Sequence, residues 1–316
     1  MIDLLHLPEP SERVVWFPGE DSSTTLTCWR VWNKPRGVTM VAMLLISSGG
    51  GGGGGDTGFW ASGLYGGGGG GSSGISRYLF PAWVLPDKLY VLSRSGGVGG
   101  RGGTGSATGS TSATNGAAGA LSYVAVYPST TVGNLIGVSG TAAPGGGVSG
   151  RGIATGGTAG SSAIATSAPL GQMALNRAFT SGVAGATGGI SIGSSITPFT
   201  SLILSGPAGG GAIKGTSDVS YSGGGYNAVA NTLLSAVSGG DIDSTDYASS
   251  GFVYAGYFYG GVGGGASKSS LNDAQSGGHG AVWGAGGGGG GAHTSTTLRA
   301  GNGGDGGPGL VIIASW

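Results

Sequence analysis

The sequence predicts an all-β protein with a glycine-rich body of polyglycine II type and little or no α-helix. Three observations carry that expectation. Glycine supplies 78 of 316 residues, about a quarter of the chain, against roughly 7% in ordinary proteins. From Ile46 onward, short β-prone runs alternate with glycine-rich runs. Charged residues are only 8%, yet there are 7 Trp and 11 Tyr, and mean hydropathy is +0.18. Disordered segments combine low hydrophobicity with high net charge, so a plain flexible linker fits the glycine and fails on the rest.

Met1–Asn33 is compositionally ordinary. "TTLTCWRVW" (Thr24–Trp32) mixes β-branched and aromatic residues and predicts a strand. Cys28, the only cysteine, reads as a small buried hydrophobe within it. "KPRG" (Lys34–Gly37) is a turn, with Pro35 preset for the corner. "VTMVAMLLI" (Val38–Ile46) is apolar on both faces and predicts a buried strand. The two strands are expected to pair, as a hairpin or side by side. Residues 1–46 therefore form an N-terminal β or docking region, and residues 47–316 a glycine-rich body that can be continuous with it. The first twenty residues carry acids and prolines with no basic start before an apolar core, so no signal peptide is expected. "VTMVAMLLI" is too short to span a bilayer. Synthesis in a cytoplasm, without membrane insertion, is the expectation.

Beyond Ile46 the predicted strands lie in "RYLF", "KLYVL", "LSYVAVY", "SLILS", "GFVYAGYFY" and the closing "GLVIIASW". "LGQMALNRAF" (Leu170–Phe179) is the one short helical turn expected. Collagen requires glycine at every third residue and abundant proline; here glycine is clustered and prolines number 12. Extended β-sheet is weakened by interior glycine. The remaining ordered conformer is an extended threefold helix with no internal hydrogen bonds, whose N–H and C=O groups all point outward. Such rods bond to one another only where no Cβ intervenes. Gly49–Gly55 would make a rod roughly 20 Å long at about 3.1 Å per residue. One rod in water would melt, because fixing each residue costs on the order of 1–2 kcal/mol and a hydrogen bond returns about 0.5–1.5. A packed array is therefore required. Phe59, Trp60 and Tyr65, between the runs Gly49–Gly55 and Gly66–Gly71, are the candidate residues that cap adjacent rods.

At this point the chain resembles a known group. "WNKPRGVTMVAMLLISSGGGGGGG", "GGGGGGSSGISRYLFPAWVLPDKLYVLSRSGGVGG" and the terminal "GGDGGPGLVIIASW" are similar to glycine-rich bacteriophage virion proteins. The resemblance covers Trp32–Gly103 and the C-terminal segment; residues 107–260 match in texture. It implies a structural part of a phage particle, in a fibre or tail-associated position. Related T-even phage tip adhesins pack glycine-rich segments as polyglycine II bundles with receptor-binding loops between them. Their loops have no residue-by-residue counterpart here.

Formal net charge is +0, and no basic tract marks a nucleic-acid footprint. Near-zero charge gives little colloidal protection, so the chain is expected in an assembly with other virion proteins and as a homo-oligomer, with a trimer as the first guess. No catalytic, cofactor or metal residue is assigned, and the chain is not expected to be an enzyme. "GISIG" (Gly189–Gly193) matches G-x-S-x-G but lacks the strand–turn–helix context. The G-x-G-x-x-G matches lack a βαβ unit, and Lys268 lacks the preceding glycine of a phosphate loop. Asp241, Asp243 and Asp246 lack the glycine and glutamate of a calcium loop. His279 and His293 alone make a weak metal site. Tyr247, Tyr254, Tyr257 and Tyr259 form a candidate interface or receptor surface, for a subunit contact or a host glycan or protein. Two alternatives stand beside the structural role. One is a host-receptor-binding adhesin at a fibre tip. The other is a polyglycine II ice-binding protein, suggested by "TGSATGSTSATNG" and disfavoured by the absence of disulfides and a secretion signal.

Overall fold

Apolar, β-prone runs can satisfy their backbone by pairing and their side chains by stacking two sheets. That is how they are used here. The computed structural model describes residues 14–19, 28–58, 64–105, 113–140, 145–149, 160, 168–189, 210, 213–214, 219–220, 222–224, 240, 253–254, 257–258, 264, 272–294 and 297–316. Among these residues the protein is all-β, and its only helical pieces are short 3-10 turns at Ala82–Val84, Val132–Asn134 and Leu170–Met173.

The strands in chain order are β1 (Val14–Pro18), β2 (Arg30–Asn33), β3 (Met40–Ile46), β4 (Ile75–Pro81), β5 (Lys88–Leu92), β6 (Tyr123–Ala125), β7 (Leu135–Val138), β8 (Asn176–Thr180), β9 (Ile213–Lys214), β10 (Val219–Ser220), β11 (Val253–Tyr254), β12 (Tyr257–Phe258) and β13 (Leu310–Ser315). A five-stranded sheet has the order β1-β13-β3-β4-β8, and a four-stranded sheet the order β2-β5-β6-β7. All their pairings are antiparallel. Two short ladders, β9 with β10 and β11 with β12, complete the described strands.

The two large sheets face each other across one core. Val41, Met43 and Leu45 of β3, with Phe80 and Ile313, meet Trp32, Leu89, Val91, Val124 and Ile136 of the other sheet. The opposite face of β3 contributes Ile46 to a second cluster with Ile75, Leu310 and Ile312. This is why β3 is apolar on both faces: it is an interior strand with a core on each side.

Three sequence expectations are corrected. The strand ending in Trp32 and the strand from Met40 do not pair. β2 bonds to β5 and β3 bonds to β13 and β4. Trp32 and Val41 enter the same core from opposite sheets, so the Lys34–Gly37 turn is a corner between layers. Gly37 takes φ 76° there. Cys28 is exposed rather than buried, because the strand begins two residues later, at Arg30. The helical turn expected over Leu170–Phe179 stops at Met173, and Asn176–Thr180 is a strand on the edge beside β4. A short helix pays its nucleation cost for few bonds, whereas β4 offers a ready ladder.

Tyr78 of β4 ties the layers together. Its hydroxyl donates to the carbonyl of Val138 on β7 at 3.4 Å and accepts from the Ala168 N–H at 3.3 Å. Its ring stacks on Phe80 at 5.9 Å. Burial pushes its pKa up, opposed by hydrogen bonds to Val138, Ala168 and Ser76. Above the ordinary tyrosine value of about 10, the unfolded chain releases this proton while the folded chain retains it. Stability therefore falls as pH rises through that range. Tyr78→Phe is expected to cost about 1 kcal/mol at neutral pH and to make the alkaline loss shallower, as read from denaturant titrations between pH 7 and 11.

Candidate functional site: the hydrogen-bonded glycine segments

Between β3 and β4 the chain runs out and back through two glycine segments. In the first, Gly49–Gly55, every N–H donates to a neighbouring segment, and the partners change in a cycle of three. Gly49, Gly52 and Gly55 donate to Gly307, Gly304 and Gly301 at 2.8–3.0 Å. Gly50 and Gly53 donate to Gly71 and Gly68, and Asp56 continues the series to Tyr65, at 2.8–3.0 Å. Gly51 and Gly54 donate to Ala117 and Thr114 at 2.9 and 3.1 Å. The carbonyls follow the same cycle. Those of Gly49, Gly52 and Gly55 accept from Gly97, Gly100 and Gly103, those of Gly50 and Gly53 from Gly287 and Gly290, and that of Gly51 from Gly147. One glycine segment thus bonds to six surrounding ones.

The absence of Cβ is what permits this contact. A Cβ on Gly51 would stand 2.3 Å from the Val98 oxygen, on Gly52 2.0 Å from the Gly288 oxygen, and on Gly53 2.2 Å from the Val148 oxygen. Three consecutive residues face three different neighbours, so none tolerates a side chain. Where one direction opens to solvent, every third residue is no longer glycine. Along residues 95–105, Arg101 and Thr104 are exposed and so is Val98. Their glycine neighbours instead pack on the segments of Gly303 and Thr114. Arg299, Asn302 and Asp305 are likewise exposed at three-residue spacing.

At these outer segments side chains replace the missing neighbour. The Asp273 carboxylate, Ser276 hydroxyl and His279 Nδ1 accept from the N–H groups of Arg299, Asn302 and Asp305 at 2.8, 3.1 and 3.0 Å. Asn302 Oδ1 and Asp305 Oδ1 in turn accept from Gly102 and Gly99. Buried serines join the glycine segments to the sheets. Ser48 exchanges bonds with Ala120, Ser72 does so with Val183, and the Ser122 hydroxyl donates to the Ile46 carbonyl at 2.7 Å. Of these residues the sequence reading singled out only His279, as half of a weak metal pair, and it missed the others. The signal was present as the x-Gly-Gly spacing of "RAGNGGDGGPG".

Of the predicted capping aromatics, Phe59 and Trp60 lie outside the described residues. Tyr65 is half-buried, and its carbonyl receives the Asp56 N–H at the end of the first segment. Beside it, Leu64 packs on Ala292. The aromatic that sequence reasoning overlooked is Trp283. It sits at φ 70° immediately before Gly284 at φ 85°, where the chain turns into the run Gly286–Gly291. Its ring lies 6.4 Å from Trp16 and packs against the second cluster. The "VWGAGGGG" string carried that hint.

Tyr247 and Tyr259 lie outside the described residues. Tyr254 and Tyr257 are register partners in the β11–β12 ladder. Asp241, Asp243, Asp246, Lys268 and Gly193 also lie outside them. His279 and His293 are held separately. His293 is fully buried, with Nε2 2.7 Å from the Asn272 carbonyl, whereas His279 serves Asp305. Among the described residues no group of three His, Cys, Asp or Glu side chains could hold a metal ion, and no helix is long and apolar enough to cross a membrane. Comparison with protein-family models finds no match to the chain, and a search of curated proteins finds none either.

The glycine segments form a block in which backbone groups bond to other backbone groups. Gly52→Ala is expected to destabilise the protein by at least ~1–3 kcal/mol, the usual range for overpacking. Gly133 has no atom within 4 Å of its Cβ position, and Gly133→Ala is expected to stay within about 0.5 kcal/mol of the parent. Paired guanidinium titrations check the difference.

Proposed function

We propose that this chain is a non-enzymatic structural protein of a bacteriophage particle, fibre- or tail-associated, stiffened by glycine segments packed as polyglycine II helices. The observation that supports the helical reading is the three-residue recurrence of hydrogen bonds from Gly49–Gly55 to six neighbours. A helix with three residues per turn and outward backbone groups produces that recurrence, whereas a strand alternates every two residues. Positive φ among the described glycines falls at Gly37, Gly58 and Gly284, in bends and turns rather than within the glycine runs.

The particle assignment draws on the resemblance of Trp32–Gly103 and the C-terminal segment to phage virion proteins. A neutral chain that is 38% hydrophobic suits permanent assembly with other virion proteins, as a homo-oligomer for which a trimer is the first guess. A fibre-tip adhesin is the second reading, favoured by the register pairing of Tyr254 with Tyr257, which brings two of the candidate receptor tyrosines together.

In a cryo-EM map of intact particles this chain is expected in a fibre or tail, and mass spectrometry of purified particles is expected to detect it. Particles that lack the chain overturn the assignment. Competition by purified protein in a host-adsorption assay separates the two readings: blocked adsorption supports the adhesin, and undiminished adsorption leaves the structural role.

A further inference from the structure

The edge strand β8 carries an unfinished interaction. Four of its five residues, Asn176 to Phe179, are exposed, and it ends the five-stranded sheet with nothing paired beyond it among the described residues. Open strand edges invite a further strand, and proteins usually blunt them with charge or cover. The one charged residue here, Arg177, turns its guanidinium to the Gln172 side chain. Beside the edge, Leu175 is 67% exposed and Phe179 37%, with the Phe179 ring edge-on to Tyr78 at 5.6 Å.

One strand inward lies Arg77 of β4, the lateral neighbour of Ala178. It occupies the row Trp16, Ile312, Leu44, Arg77, Ala178 across the sheet. Arg77 is half-buried, and among the described residues its guanidinium makes no hydrogen bond or ion pair. Burial lowers its pKa from the usual arginine value, with no compensating partner. The rows on either side, Val14 to Asn176 and Pro18 to Thr180, hold no Asp or Glu. A partly buried, unpaired cation is an unfavourable arrangement. Ala178, which stands between Arg77 and the open edge in that row, carries only a methyl group.

We propose that β8 is a docking edge, completed by an extended segment of a different protein that adds as a sixth strand and sets an Asp or Glu beside Ala178 to pair with Arg77. The added residue would stand two strand spacings from Arg77, roughly 10 Å between Cα atoms, a gap that an arginine and a carboxylate side chain span together. On the other face of the same strand, an apolar residue would cover Phe179. A second copy pairing through its own β8 does not fit. Residues 174–182 contain no acid, so no register of β8 against itself supplies the carboxylate. The symmetric register centred on Ala178 would set the two Arg77 three strand spacings apart in one row, with only Ala178 of each copy between them and no acid to pair with either. The proposal is independent of the particle assignment, and its test uses the purified chain alone.

The probe is a heptapeptide with valine at odd positions, threonine at the second and sixth, and glutamate at the fourth. Its twin carries glutamine at the fourth position. The glutamate peptide is expected to slow amide exchange across residues 174–182. It is also expected to bind roughly five-fold more tightly than its twin by calorimetry, the upper range for a partly exposed ion pair. Arg77→Met, which keeps the aliphatic stem, is expected to bind both peptides equally. Ala178→Glu gives Arg77 a carboxylate within its own chain, and the preference is expected to disappear there too. Equal binding of the two peptides by the parent protein, or no protection of 174–182, overturns the proposal. So does a dimer of the peptide-free chain that Ala178→Glu dissociates in sedimentation velocity, since the occupant is then a second copy.

Discussion

A carbonyl oxygen standing about 2 Å from where a Cβ would be is the contact on which this molecule is organised. At Gly52 that oxygen belongs to Gly288, and the same segment meets other neighbours through Gly51 and Gly53. No residue but glycine permits it, so the composition follows from the geometry. Glycine also loses the most conformational freedom on ordering, and an isolated segment has no internal bonds to offset that loss. The arrangement is therefore collective. A central segment is held because six others surround it, and the outer ones are held because side chains such as Asp273 and Asn302 substitute for absent neighbours.

The sandwich and the glycine block stabilise each other in series along one chain. β3 runs directly into Gly49–Gly55, and the return through Gly66–Gly71 runs directly into β4, its neighbour in the sheet. Pairing of β3 with β4 thus fixes one end of both segments and removes much of their freedom before any glycine contact forms. At the other end of the molecule's sequence, the Leu310–Ser315 strand continues the segment of Gly301–Gly307 into the same sheet. The serines at these junctions have a specific task. A two-residue ladder and a three-residue cycle do not share a register, and a short hydroxyl side chain can bond where the backbone of one system misses the other. Ser122 does this at Ile46, the last residue of β3, while Ser48 and Ser72 add hydroxyl bonds to the N–H groups of Ala120 and Val183 just outside the strands, all three while buried.

Much of the strand content was legible because β-branched and aromatic runs between glycines have few other uses. Lys88–Leu92, Met40–Ile46 and Leu310–Ser315 were read directly, and the apolar faces of β3 announced an interior strand. Partners were less legible. Trp32 and Val41 were assigned to neighbouring strands because only a short turn separates them, but a turn of that length also serves a corner between layers. Asn176–Thr180 has weak strand propensity of its own, and β4 beside it decides its state. Within the glycine block, runs of pure glycine were visible while the spaced pattern in "RAGNGGDGGPG" was not. That pattern appears only once one knows that each third residue looks in the same direction. The lone cation at Arg77 and the tie made by Tyr78 depend on lateral register, which no local pattern in the sequence encodes.

The threefold cycle also restricts how such a chain can change in length. In an outer segment such as 95–105, inserting one residue moves the residues beyond it by one step of the cycle, so that a side chain now in solvent would meet the carbonyls of a neighbouring segment. Inserting three restores every direction. Glycine tracts of this kind can then grow or shrink over evolutionary time in steps of three residues, and length variants among relatives of this chain would be quantised accordingly.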